Sequence, residues 1–143
     1  MRILFVDDDP EHVESVSRIV ADALDADVTL SASVEEAVAA LHANPHDLVV
    51  TDIFIPLGPS PHHLLGPRAR RYEETLQHLG GLVLLDELDR LESPPRVLAH
   101  TACTDFELIE ILGERVEGRV PKPAPVDVLL RAVLEALDLP VPG

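Results

Sequence analysis

Apolar residues fall along this chain in two alternating rhythms. Ile3-Leu4-Phe5-Val6 is a continuous apolar run, too short for a helix, and reads as a strand buried on both faces. Beyond it Val13, Val16, Ile19, Val20 and Leu24 recur at helical spacing, so residues 10–24 are predicted as a helix with Asp9 as its cap and Pro10 as its first residue. Asp27-Val28-Thr29-Leu30 is short and β-prone. Ser33 and Glu36 then form a capping-box pattern ahead of Val34, Ala37, Val38 and Leu41. Asp47-Leu48-Val49-Val50-Thr51-Asp52 reads as an apolar strand ending in an acid.

The rhythm fails between 57 and 80. Leu57 to Pro67 holds three prolines and two glycines and has no usable periodicity. Arg68 to Leu79 has a helical face of Tyr72, Leu76 and Leu79, with Gly80-Gly81 expected to end it. Leu82, Leu85, Leu88 and Leu91 mark a further helix, and Arg96 to Thr101 a fourth strand. Thr104 with Glu107 suggests a capping box before Phe106, Ile109 and Leu112. Gly118-Arg119-Val120 is a brief fifth strand, Pro121 to Pro125 a loop, and Val126 to Leu137 the last helix. Strands alternating with helices imply an α/β fold, a doubly wound parallel sheet of five strands in the flavodoxin-like order 2-1-3-4-5. Residues 1–143 are expected to form one domain, with 57–80 as a loop-helix insertion between the third strand and the helix that follows it.

Composition narrows the function. Lys plus Arg number 11 against 26 Asp plus Glu, a formal charge of −15, so the basic footprint that nucleic acid demands is missing. The segment 57–80 departs from this balance, with Arg68, Arg70 and Arg71 against Glu73 and Glu74, and is expected to act as a cap or docking element. One cysteine, Cys103, excludes an internal disulfide and reads as a packed residue. His62-His63 read as loop polars, since adjacent residues do not match metal-ligand spacing on a helix. No leader and no run of 18 apolar residues is evident, which points to a soluble, cytoplasmic protein with no membrane partner.

The order 2-1-3-4-5 sets the ends of strands one and three side by side, and so brings Asp7 and Asp8 to Asp52. Two carboxylates about 4 Å apart repel by roughly 4 kcal/mol at an effective dielectric near 20. Such a cluster favours a hard cation of the Mg²⁺ type, which keeps several waters and takes one or two carboxylates directly. Taken alone, Asp7 and Asp8 read better as solvated turn residues, and Asp52 from another strand end is what raises the cation reading. Strands four and five add Thr101 and Lys122 at the same edge, completing a set of acids, one hydroxyl and one ammonium. These are the parts phosphoryl transfer needs, and Asp52 can be the nucleophile.

At these residues the chain resembles the receiver domain of bacterial two-component response regulators. The resemblance rests on Asp7-Asp8 after an apolar strand, Asp52 followed by Pro56, Thr101-Ala102 and Lys122-Pro123, and covers almost all of the chain outside 57–80. It implies Asp52 as phosphoacceptor, Asp8 as a direct Mg²⁺ ligand, Asp7 acting through water, and the Phe54 backbone carbonyl completing the metal shell. Thr101 would bond the phosphoryl oxygen, Lys122 would pair with it, and the Lys122-Pro123 bond would be cis. Receivers usually carry Tyr or Phe three residues before that lysine, where this chain has Arg119.

The function implied is that of a stand-alone phosphoacceptor taking a phosphoryl group from a histidine kinase or phosphotransfer protein. It would signal to a downstream protein by contact, with no enzymatic activity beyond its own phosphorylation and dephosphorylation. A pseudo-receiver, a binding module not controlled by phosphorylation, is the alternative that Arg119 and the insertion favour. An aspartyl-phosphate phosphatase is a third, since Asp7 and Asp9 have the spacing of an Asp-x-Asp nucleophile motif.

Overall fold

The computed structural model describes residues 1–56, 80–113 and 115–140. The expected insertion, 57–80, lies outside them except for Gly80. In chain order the elements are β1 (Arg2–Val6), α1 (Pro10–Leu24), β2 (Asp27–Ser31), α2 (Val34–Ala43), β3 (Leu48–Thr51), α3 (Gly80–Asp89), β4 (Arg96–Thr101), α4 (Phe106–Gly113), β5 (Gly118–Pro121) and α5 (Val126–Ala136). All strand pairs are parallel and the sheet runs β2-β1-β3-β4-β5, as the pattern predicts.

Alternation along each inner strand divides the core in two. Ile3, Phe5, Leu48, Val50, Leu98 and Val120 face one side, where they pack with Val13 and Val20 of α1 and Leu129 and Val133 of α5. Leu4, Val6, Val49, Val97 and Ala99 face the other, against α2, α3 and α4. Helices on both faces explain why the strands read as unbroken apolar runs. The same connectivity leaves every strand end at one edge of the sheet, where Val6, Thr51, Thr101 and Pro121 hand over to loops.

Three local expectations are corrected, at Asp9, at the cap of the helix after β4 and at Pro121. Gly80 and Gly81 are the first described residues of α3, the further helix that the pattern predicts, and the helix expected over 68–79 lies outside the described residues. Their amides donate to the carbonyls of Ile55 (2.9 Å) and Ile53 (3.0 Å), and a Cβ on either would lie 2.2 Å from the Ile55 oxygen or 2.5 Å from the Ile53 Cα. These glycines serve close approach to the backbone after β3. Asp9 holds the cap position of α1, yet its side chain makes no capping bond; its amide instead donates to Asp7 Oδ1 at 2.9 Å. At α4 the cap is Asp105, whose Oδ1 accepts the Leu108 amide at 3.1 Å, in place of Thr104. Pro121 is the last residue of β5, not the first of a loop. The Ser33 box does form: Ser33 Oγ accepts the Glu36 amide, and Glu36 reaches back to the amide of Ala32.

Candidate functional site

Asp7 follows the last residue of β1, and its amide donates to the Ser31 carbonyl at 3.0 Å. Asp52 follows the last residue of β3, its amide on the Val6 carbonyl at 3.2 Å. Backbone pairing to a neighbouring strand therefore fixes both acids, and both are buried. Lys122, one residue past β5, has its amide on the Thr101 carbonyl at 3.1 Å. Its Nζ lies between the acids, donating to Asp7 Oδ2 and, at 2.9 Å, to Asp52 Oδ2. The peptide bond between Lys122 and Pro123 is cis, as the resemblance implies.

The other carboxylate oxygen of each acid also accepts a bond. Asp52 Oδ1 accepts the Phe54 amide at 3.1 Å and Asp7 Oδ1 that of Asp9. Thr101 is fully buried at the end of β4, and its Oγ1 accepts the Cys103 amide at 3.2 Å. Burial raises the pKa of Asp52, but bonds from the Thr101 hydroxyl, Lys122 and the Phe54 amide outweigh it and hold the carboxyl below its ordinary range. Burial lowers that of Lys122, and the bonds to Asp7 and Asp52 reverse it, leaving the ammonium above its usual value. Asp8 is exposed at the rim, and its carboxyl is pushed up by desolvation and by the charges of Asp7 and Asp52. The edge thus holds a carboxylate favoured in its ionised form beside an ammonium, with a third carboxylate whose charge is poorly compensated.

Among the described residues no three His, Cys, Asp or Glu side chains are grouped as a ready metal cage. Lys122 stands between Asp7 and Asp52, and a Mg²⁺-like ion needs only one or two direct carboxylates with water completing its shell. The loop after Asp52 has a matching feature. The carbonyls of Ile53, Ile55 and Pro56 are taken by the amides of Gly81, Gly80 and Val34, whereas that of Phe54 has no backbone partner among the described residues. The donor set of Asp8, Asp52 and the Phe54 carbonyl suits a hard cation.

No protein-family model matches the sequence, and no curated protein matches it. Solved structures do. The receiver domain of a putative LuxO repressor protein from Vibrio parahaemolyticus superposes with a TM-score of 0.72 at 17% identity, over 96% of this chain and 89% of that one. A CheY-like response regulator receiver domain protein from Methanospirillum hungatei gives 0.70 at 21%, over 96% and 93%. The non-phosphorylated HemR receiver domain from Leptospira biflexa gives 0.68 at 22%, over 99% and 98%.

The fold is that of a response-regulator receiver domain. Within this receiver fold the structure brings together Asp7, Asp52, Thr101 and Lys122, four of the residues singled out in the sequence, and sets Asp8 and Phe54 at their rim. Arg119 is exposed on β5. Cys103 is buried, as expected of a packed residue. One residue escaped sequence reasoning. His100, on β4 directly before Thr101, is 5% exposed, and its Nδ1 lies 3.2 Å from the Val120 carbonyl. An imidazole in an otherwise apolar strand, Val97-Leu98-Ala99-His100, is the signal that could have found it.

Proposed function

We propose that this chain is a phosphoacceptor signalling protein of the cytoplasm. In the proposed reaction an Asp52 carboxylate oxygen attacks the phosphorus of a phosphohistidine on a histidine kinase or phosphotransfer protein. An O–P bond forms, the P–N bond breaks, and the imidazole leaves with the electron pair and takes up a proton. One observation carries this reading: the Asp52 carboxyl is held ionised at the sheet edge, in contact with Lys122 and beside Thr101. Lys122 then neutralises charge on the transferred group and the Thr101 hydroxyl donates to one of its oxygens. Mg²⁺ would be held by Asp8, Asp52 and the Phe54 carbonyl, with Asp7 acting through water, and would neutralise the phosphoryl oxygens as a Lewis acid. The phosphorylated state is read by a downstream protein through contact.

Incubation with acetyl phosphate and Mg²⁺, followed by intact mass, tests the proposal. One phosphoryl group is expected on the native chain and none on Asp52→Asn. The exposed Arg119, where a switch aromatic is usual, favours a second reading as a pseudo-receiver binding module, for which no mass gain is expected. Sustained acetyl phosphate turnover with no accumulated adduct would indicate a phosphatase and sink both.

A further inference from the structure

Lys122 can act on Asp52 only if the end of β5 is held in place, and the sheet holds that end from one side alone. β5 is an edge strand of four residues, and among the described residues no strand lies beyond it to bond its outward groups. Its last residue, Pro121, pairs in register with Thr101, and in a parallel ladder alternate residues bond the partner, so its neighbours Val120 and Lys122 are the ones that face β4. Two bonds flank Pro121. On the far side the Lys122 amide donates to the Thr101 carbonyl at 3.1 Å. On the near side the Val120 carbonyl lies 3.2 Å from His100 Nδ1. A carbonyl can only accept, so Nδ1 carries the proton in that bond.

We infer that His100 is a positioning residue, whose ring bond to the Val120 carbonyl fixes the end of β5 so that Lys122 reaches Asp7 and Asp52. Its placement supports this beyond the single bond. Thr51 pairs with Ala99, which puts Asp52 next in register to His100, and the ring borders the small cavity that Asp7, Thr51 and Asp52 also line. One side chain therefore touches β5 and lies under both acids. Placing an imidazole among Phe5, Val13 and Val50 costs desolvation that an apolar residue would avoid, and its hydrogen bond is the return. Burial also lowers its pKa, keeping the ring neutral.

This inference rests on the phosphoacceptor reading for its catalytic consequence, but not for its geometry, and the test separates the two. His100→Leu and His100→Val remove the donor, while His100→Asn keeps an amide nitrogen near the place of Nδ1. Each is made in the full chain and followed by thermal unfolding, by the ¹H–¹⁵N signal of the Lys122 ammonium, and by the rate of acetyl phosphate labelling with Mg²⁺. The ammonium signal is expected in the native chain, where two carboxylates protect it from exchange. In a folded Leu or Val variant it should vanish and labelling should slow by roughly tenfold or more, as small misplacements do. His100→Asn should restore both. A Leu or Val variant that keeps the ammonium signal overturns the inference, as does an Asn variant no better than Leu. If neither apolar variant folds, His100 serves the core and not Lys122, and the idea is likewise overturned. Should the native chain take no phosphoryl group, the phosphoacceptor reading fails while the ammonium signal still decides on His100.

Discussion

At the scale of the residue, the acids at the sheet edge have opposite demands. Asp52 is held below its ordinary pKa, so its contribution to stability is present above the ordinary carboxylate range and lost as pH falls through its folded value. Asp8 is raised, so folding favours its protonated form, and the stability that form supplies is lost as pH rises from the ordinary carboxylate range through the raised folded value. Asp8→Asn should therefore raise the melting temperature of the cation-free protein at pH 7, and the gain should vanish below about pH 4, where Asp8 is neutral in either state. Melting curves in EDTA across pH check this; an equal gain at all pH values would refute it. The same substitution should weaken Mg²⁺ binding more than Asp7→Asn does, measured by calorimetric titration. Lys122 gives the alkaline counterpart. Its raised pKa means stability that is complete below the ordinary lysine value and lost as pH rises past it.

At the scale of the element, the Asp52 loop is clamped from two sides, by the Val34 amide at the start of α2 and by Gly80 and Gly81 at the start of α3. Gly81→Ala would put a Cβ 2.5 Å from the Ile53 Cα and 2.8 Å from the Asp52 carbonyl oxygen, both backbone atoms that cannot swing aside. A cost of about 1–3 kcal/mol is expected from such overpacking, with slower phosphoryl labelling because the loop that carries Asp52 must shift. Denaturant unfolding measures the first, and a change within 0.5 kcal/mol, the range of ordinary surface substitutions, would contradict it. The clamp also joins the flanks of segment 57–79, since the Gly80 amide lies 2.9 Å from the Ile55 carbonyl. Replacing 57–79 by a short glycine-containing linker should accordingly leave a folded protein, judged by circular dichroism and a cooperative melt. If that deletant folds but labels or binds its partner differently, the segment acts at the site; if it does not fold, the segment supplies core.

At the scale of the whole molecule, a charge of −15 on 143 residues makes self-repulsion a general cost of compactness. Cation-free protein at pH 7 should melt at a higher temperature as NaCl rises from about 20 to 300 mM, since the Debye length shrinks from beyond 20 Å to below 6 Å over that range. A falling melting temperature would mean that ion pairs such as Arg96–Asp138 and Arg115–Asp89 outweigh the repulsion. The sheet itself was legible in the chain: runs such as Ile3 to Val6 and Leu48 to Val50 demand burial on two faces, and only helices on both sides of a parallel sheet supply it. That order also brings Asp7 beside Asp52, because their strands are neighbours. What the sequence could not reveal depends on atoms meeting across the fold. Local spacing does not show that Gly80 and Gly81 lie against the Ile55 and Ile53 backbone, where a Cβ would not fit. Thr104 and Asp105 are both capable caps, and the path of the chain out of β4 chose Asp105. His100 stands out in the sequence only as an imidazole in an apolar run, and its partner is settled once β5 lies beside β4. Then its ring meets the Val120 carbonyl, because a hydrogen bond 20 residues apart in sequence exists only once the strands are aligned.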